Sequence, residues 1–499
     1  MMVMSRFKIS DNQTAEDSLD LDPSLAARFE RAVRNALPAL LALTALAFGT
    51  VEYWSIAVFG GLIVLLFILW GVRQALVRTS QTFFPLLLLP LLLAIIYGLG
   101  QVVTTVDANG RHWALSMDPE ATWLVIEVMS VLLLAGLLIA NLFHTRHRLL
   151  LLRNFLIAFG LAYAIFALIN HFTWNGRYFW VVDPTIPSSH PFGSFVNHNH
   201  FAGFVEMLAP LPLALVLTRT VRSELAVINA FAATLLSIAT ALSLSRGGMI
   251  SLLSGLLFTV VLSLRRPSHA HGNQTRLRLI LTRALISFII LVVLAVGILW
   301  VSGDAVIQRL EVPSPDTPAG LSDPTGSDPA RSGFYQSRGF IWEDTIRMIR
   351  ENWLIGVGLG AYQTAYPIYS LQDRLYLVGQ SHNDYLQIVA DGGILLALLA
   401  IFFLILLLRS AAKAIDHPDI TLASLAVGCC GGIFALLVHG MFDFNFQITS
   451  NSLLFLTLSM IVWRIGFMSV NKRVSLSLIE QSRKFDPDPF ATTEMEVRS

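Results

Sequence analysis

"SHNDYLQIVADGGILLALLAIFFLILLLR" (381–409) decides how this chain folds. From Ile394 to Leu408 no polar side chain interrupts the run, which marks a helix lying in hydrocarbon. The residues in front of it are of the opposite kind: His382, Asn383, Asp384, Gln387 and Asp391 crowd the entrance. Polar groups at the mouth of a membrane span are costly unless they face a cavity or one another, so the stretch points to a membrane fold and to a functional site together. On a helix starting near Ser381, Asp384, Gln387 and Asp391 share one face, and His382, Tyr385 and Val389 another.

The totals agree with this reading. The 499 residues are 55% hydrophobic and 13% charged, with a mean hydropathy of +0.65, far from a soluble average. The expected fold is an all-α polytopic membrane protein. A formal net charge of +1 excludes a global field that would attract nucleic acid or an acidic partner. Cys429 and Cys430 are adjacent inside an apolar run; they suit neither a disulfide nor a metal-ligand spacing and read as small core residues. The N-terminal segment is polar, with Glu16, Asp17, Asp20 and Asp22 followed by Arg28, Arg31 and Arg34, so no cleavable signal peptide is expected and the first apolar run reads as a retained anchor.

Apolar stretches long enough to span a bilayer fall near 36–51, 53–72, 83–103, 122–143, 149–171, 200–218, 225–244, 248–264, 284–302, 385–408, 421–441 and 452–469. With the N-terminus in the cytoplasm, 25 of the 34 Lys and Arg fall on the inner side, the pattern expected of a correct count. The expected organisation is a cytoplasmic tail (1–35), spans one to nine (36–302), one large periplasmic loop (303–384), spans ten to twelve (385–469) and a cytoplasmic tail (470–499). The single large outer loop is where function is expected.

Within that loop, the proline-rich "EVPSPDTPAGLSDPTGSDPA" (311–330) reads as an irregular tether. "SRGFIWEDTIRMIREN" (337–352) predicts an amphipathic helix capped by Ser337, with Ile341, Trp342, Thr345, Ile346 and Ile349 on its apolar side. Arg347 and Arg350 fall on the polar side, Arg347 four residues after Glu343 as in an ordinary helical ion pair. Arg338 falls on the docking stripe and needs an anionic partner, either an internal carboxylate or an anionic ligand. "IGVGLGAY" (355–362) predicts a tight turn that lets the backbone pass close to a neighbour.

Further polar candidates cluster on the same side. "HPFGSFVNHNHFAGF" (190–204) brings Asn197, His198 and His200, which lack a zinc-site pattern and are expected to shape a cavity rim by hydrogen bonding. "SLSRGGMIS" (243–251) leaves Arg246 as a lone interfacial cation, suited either to lipid phosphates or to a ligand. Glu206 lies inside span six, "HGMFDFNF" (439–446) brings His439 and Asp443 to the outer end of span eleven, and Glu127 in span four reads as an internally satisfied partner.

If Arg246 and Arg338 converge, two guanidinium forks at the outer interface match a pyrophosphate. The diphosphate available there is a polyprenyl diphosphate carrying sugars. An acceptor hydroxyl attacking its first sugar needs a general base, the role His382 suits, while arginines stabilise the departing diphosphate without a carboxylic acid.

"GSFVNHNHFAGF", "SLSRGG", "SRGFIWEDTIRMIRENWLIGVGLGAY" and "SHNDYLQIVADGG", in this order, resemble the O-antigen ligase and polymerase superfamily over about 190–450. The resemblance implies a bacterial inner-membrane glycosyltransferase of the GT-C type with twelve helices and a large outer loop. It implies an undecaprenyl diphosphate-linked glycan as donor, bound by Arg246 and Arg338, and His382 as the group that activates the acceptor. No cofactor, nucleotide sugar or obligatory metal is implied. Asp443 is the nearest match to a late acidic residue of the family, and Asn383, Asp384, Asn197, His198, His200 and Glu206 are supporting candidates. The acceptor is lipid A core for a ligase, a second lipid-linked repeat unit for a polymerase, and a protein hydroxyl for a related branch. A transporter is the reading from another class. It requires ionisable groups near the midplane, for which only Glu127 and Glu206 are available, and a repeat relating the two halves.

Overall fold

The structure is a computed structural model that describes residues 23–77, 82–103, 105–106, 112–183, 191–264, 338–371 and 378–485. It is helical throughout, apart from a two-residue antiparallel ladder, β1 (Thr105–Val106) with β2 (His112–Trp113). The long helices are α1 (Pro23–Leu46), α2 (Tyr53–Leu76), α3 (Leu89–Val102), α4 (Pro119–Leu142), α5 (Arg146–Phe172), α6 (His198–Leu208), α7 (Pro210–Leu217), α8 (Ser223–Leu242) and α9 (Arg246–Leu264). After the undescribed segment come α10 (Arg338–Glu351), α11 (Tyr362–Tyr369), α12 (Asp384–Ile415), α13 (Ile420–His439) and α14 (Thr449–Phe485).

Among the described residues, nine helices are long and apolar enough to cross a membrane, with α6 and α7 taken as one. Two further expected spans are helical but fall short of that standard. One is α1, whose first half carries Arg28, Glu30, Arg31 and Arg34; the other is the shorter apolar stretch Leu86–Val102. The expected span 284–302, the proline-rich segment 311–330 and both chain ends lie outside the described residues, so the count of twelve stays an expectation. Span six is broken where Pro210 and Pro212 follow Ala209, since proline cannot continue the preceding hydrogen-bond ladder.

The bundle is layered around α6, α7 and α13. The apolar window of α6–α7 is 94% buried and that of α13 78%, against 11% for α12, which therefore belongs to the periphery. Small residues let the central helices touch. A Cβ on Gly432 of α13 would lie 2.2 Å from the Met207 carbonyl oxygen, and one on Gly431 would clash with the Thr259 hydroxyl. Without a hydrophobic drive between helices in lipid, such close approach supplies the van der Waals contact that holds them. Cys429 and Cys430 belong to this seam as buried free thiols, as read from the sequence. Glu127 corrects its expectation: it is exposed on the side of α4, with no internal partner among the described residues.

Candidate functional site

The N-termini of α4, α6, α9, α12 and α14 and the C-terminus of α13 gather at one end of the bundle, and α10 lies there against α12.

The connection 352–361, built of turns and bends, is pinned across α12 at its kink at Gly393. Gly356, Gly358 and Gly360 all have positive φ, as the expected close backbone passage requires. A Cβ on Gly356 would sit 2.3 Å from the Asp391 carbonyl oxygen, and Gly393, at φ +61, faces Leu354 equally closely. The amides of Val357 and Gly358 donate to the carbonyls of Ala390 and Asp391. Gln101 accepts from the Leu359 amide at 3.0 Å and donates to the Ile355 carbonyl at 2.9 Å. The buried Asp391 carboxylate accepts from Gln387 at 3.1 Å and from the Gly360 amide at 3.3 Å. Asp384, Gln387 and Asp391 are buried on one face, as the periodicity indicated.

His382 does not share that helix. The helix starts at Asp384, three residues later than expected, because Asn383 caps it: its side-chain oxygen accepts from the amides of Tyr385 and Leu386 at 3.0 and 3.1 Å. His382 stands just outside with φ +50, a left-handed conformation unfavourable for a residue with a Cβ. Its neighbours over-determine the strain. Trp342 of α10 donates to the Ser381 carbonyl at 3.0 Å, and the Asp384 amide donates to the Gly440 carbonyl at 2.7 Å. The Asn383 amide group also donates to the Met441 carbonyl at 3.1 Å.

The turn after α13 supplies the centre of the site. Asp443, 1% exposed, faces His382 Nδ1 at 3.1 Å with one oxygen and Arg338 at 3.4 Å with the other; His382 and Arg338 are 33% and 39% exposed. The Phe444 amide donates to the first oxygen at 2.9 Å. Burial pushes the Asp443 carboxyl up, but the hydrogen bond from His382 and the charges of His200, His382 and Arg338 outweigh it and hold the carboxyl below the usual carboxylate range. An ionised Asp443 requires the proton on Nδ1 of His382, which turns Nε2 into the free acceptor. Phe444 is wedged between two imidazoles, its ring centroid 4.9 Å from His382 and 4.7 Å from His200.

Beneath lies a dry polar layer. The buried His439 donates from Nδ1 to Glu206 at 3.0 and 3.1 Å, with the two side chains 1% and 0% exposed. Asp384 accepts from the Phe446 amide at 3.3 Å. His200 is buried in this layer rather than lining a rim, which corrects that expectation. His198, half-buried, opens α6 behind Asn197, whose side chain caps it by accepting from the Asn199 amide at 2.8 Å.

The two expected phosphate ligands behave differently. Arg338 has an internal carboxylate partner, one of its two expected states, yet stays partly exposed. Arg246 is exposed at the first position of α9 and has no ion-pair partner among the described residues. It precedes Gly247, on which a Cβ would lie 3.1 Å from the His439 ring.

Helix α10 corrects the sequence reading in its buried face and in its ion pair. Its buried face is Ile341, Asp344, Thr345 and Met348, while Ile346 is exposed. Arg347 pairs with Asp344 at 3.0 Å rather than with Glu343, and Asp344 also accepts from the Tyr366 hydroxyl at 2.8 Å. Asp344 is not among the sequence candidates, although its spacing from Ile341, Thr345 and Met348 places it on the buried face. Among the described residues no three His, Cys, Asp or Glu side chains are grouped to hold a metal ion.

No curated protein matches the chain closely. Residues 231–401 match the O-antigen ligase family model, Wzy_C, a segment that includes Arg246, Arg338 and His382 and ends before Asp443. Residues 231–401 are thus similar to the O-antigen ligase domain, in a chain that has, among the described residues, nine helices long and apolar enough to cross a membrane.

Proposed function

We propose that the protein is an O-antigen ligase-like glycosyltransferase. It moves a glycan from undecaprenyl diphosphate to a hydroxyl of lipid A core at the periplasmic face of the bacterial inner membrane, with both chain termini in the cytoplasm. The observation that carries this reading is the Asp443 carboxylate, which holds His382 and Arg338 at once.

His382 accepts the acceptor hydroxyl proton at Nε2 while Asp443 stabilises the resulting imidazolium through Nδ1. The acceptor oxygen bonds to C1 of the donor's first sugar as the C1–O bond to the diphosphate breaks. The diphosphate leaves with the electron pair, and Arg338 and Arg246 stabilise its charge. One displacement predicts inversion at C1. The left-handed backbone at His382 fixes the ring beside Asp443, so little ordering is left for the reactive complex to supply.

A polymerase uses the same donor groups and the same base and differs in its acceptor. The test is transfer from a purified polyprenyl-diphosphate oligosaccharide by detergent-solubilised protein, with lipid A core and excess donor offered separately. Growth of lipid A core in size supports the ligase; elongation of the donor alone replaces it with the polymerase; no transfer to either overturns the glycosyltransferase reading.

A further inference from the structure

Helix α10 runs alongside the first turns of α12 and in the same direction. Near its start, Trp342 donates to the Ser381 carbonyl at 3.0 Å, just ahead of α12. At its end, the Trp353 carbonyl accepts from the Ile394 amide at 2.8 Å. A Cβ on Gly393 would lie 2.3 Å from the Leu354 carbonyl oxygen, so the end of α10 is fixed against the kink. This gives the end of α10 a definite depth. Ile394 opens the apolar run of α12, and Lys413 is the last cation of that helix. About 20 residues of helix cover the roughly 30 Å of hydrocarbon. Counted back from Lys413, that length ends at Ile394, with Arg409 close enough to the far interface to snorkel there. A second helix agrees: the Tyr97 hydroxyl, inside the apolar stretch Leu86–Val102, donates to the Ile355 carbonyl at 2.7 Å.

While their backbone is held in this way, the side chains of Trp353 and Leu354 are 59% and 46% exposed. The two helices that hold the turn also expose apolar side chains, Ile96 on α3 and Leu398 on α12. At the depth of Ile394 there is no bulk water, so whatever the protein leaves uncovered there meets lipid or another protein. The charge pattern of α10 selects lipid. Glu343, Ile346, Arg350 and Trp353 are exposed at helical spacing, which places a cation one turn above an aromatic and aliphatic tip. That is the order a bilayer surface favours, with a guanidinium among lipid phosphates, an indole at the interface and an aliphatic side chain beside it in the acyl region.

We propose that the end of α10, Trp353 and Leu354, enters the leaflet on the site's side as a wedge, with Arg350 held among the lipid phosphates above it. The partner is the bilayer itself. The same helix begins with Arg338 and, through Trp342, clamps the backbone next to His382, so the wedge ties both groups to the membrane surface. The inference needs α12 to span the membrane and does not depend on which reaction the site performs.

The test is quenching by lipid-borne nitroxides of full-length protein in nanodiscs of phosphatidylethanolamine and phosphatidylglycerol. Glu343→Cys, Arg350→Cys, Trp353→Cys, Leu354→Cys and Leu398→Cys are each labelled with a nitrobenzoxadiazole maleimide. Wild type, whose Cys429 and Cys430 are buried, is the labelling blank. Each variant is read with a nitroxide on the lipid headgroup, with one high on the acyl chain, and with aqueous iodide. Leu398→Cys sets the response of a lipid-facing position and Glu343→Cys that of an aqueous one. The expected result is that the acyl-chain nitroxide removes most of the emission at 353 and 354 while iodide removes little, and that the headgroup nitroxide is the strongest quencher at 350. Iodide quenching at 353 and 354 equal to that at 343 overturns the wedge, because the tip is then in water. Protection at 353 and 354 from iodide and from both nitroxides also overturns it, because another protein or a second copy of this chain then covers the tip. If Trp353→Cys does not keep the wild-type melting temperature, Leu354→Cys decides.

Discussion

Each end of the bundle contains a carboxylate shared between two basic side chains, and the two arrangements are built for different ends. Away from the site, Glu30 of α1 is held by Arg73 of α2 and Arg148 of α5, and its side chain is 15% exposed, against 24% and 19% for its partners. All three are similarly enclosed, and the contact ties three helices. At the site end, Asp443 is sealed from solvent while His382 and Arg338 each remain about one-third exposed. There the acid is fixed and its partners keep free valences. The lesson is that charge pairing alone does not distinguish a strut from a reactive centre; the asymmetry of exposure across the pair does, and here it coincides with left-handed backbone at His382.

The largest effect that sharpens this contrast is on His382. His382→Ala is expected to lower the transfer rate by about 10³-fold with an unchanged melting temperature, because the side chain is surface-accessible and its loss removes the proton acceptor. A variant that retains more than a tenth of the wild-type rate removes the base assignment. Asp443→Asn comes next, at about 10²-fold: the amide keeps the volume but no longer fixes the His382 tautomer or balances the imidazolium. Steady-state rates should show the loss mostly in kcat. If Asp443→Asn instead raises KM alone, Asp443 acts through Arg338 and donor binding rather than through the base. Arg338→Lys follows, with about a tenfold fall in kcat/KM, since an ammonium keeps the charge and loses the planar fork. Full activity in that variant, measured at subsaturating donor, assigns Arg338 to α10 docking only.

Much of this architecture could be read from the chain. The apolar runs located the helices because hydrocarbon imposes a length and a composition on each span. The glycines at 356, 358 and 360 and the buried face Asp384–Gln387–Asp391 were legible because turn chemistry and helical period are local properties. What was not legible depends on contacts distant in sequence. Asp443 meets His382 across 61 residues and Arg338 across 105, and Glu206 meets His439 across 233. No periodicity records such pairings. The departure of His382 from the helix was hidden for a related reason: Asn383 competes for the first amides of α12, and the left-handed conformation is stable only because Trp342 and Gly440 clamp the chain on either side. Arg347 pairs with Asp344 rather than Glu343 because the Tyr366 hydroxyl, 22 residues away in sequence, holds the Asp344 carboxylate on the buried face.

The smallest expected effect on rate comes from the other end, and it makes the comparison breakable. Glu30→Gln should leave transfer within about threefold of wild type while lowering stability by about 1–2 kcal/mol, since it unpairs two guanidinium groups that are partly enclosed. Burial works to raise the Glu30 carboxyl, but Arg148 and Arg73 outweigh it and hold it below its ordinary value. A depressed folded-state value means that the contribution is fully present above the unfolded value of about 4.3 and is lost as pH falls through the folded one. The melting difference between wild type and Glu30→Gln should therefore stay constant from neutral pH down to about pH 5 and close only in stronger acid. A gap that closes near neutrality assigns the strut to another titrating group. A large loss of transfer at unchanged melting temperature couples Glu30 to the reaction, and the division between a structural end and a reactive end then fails.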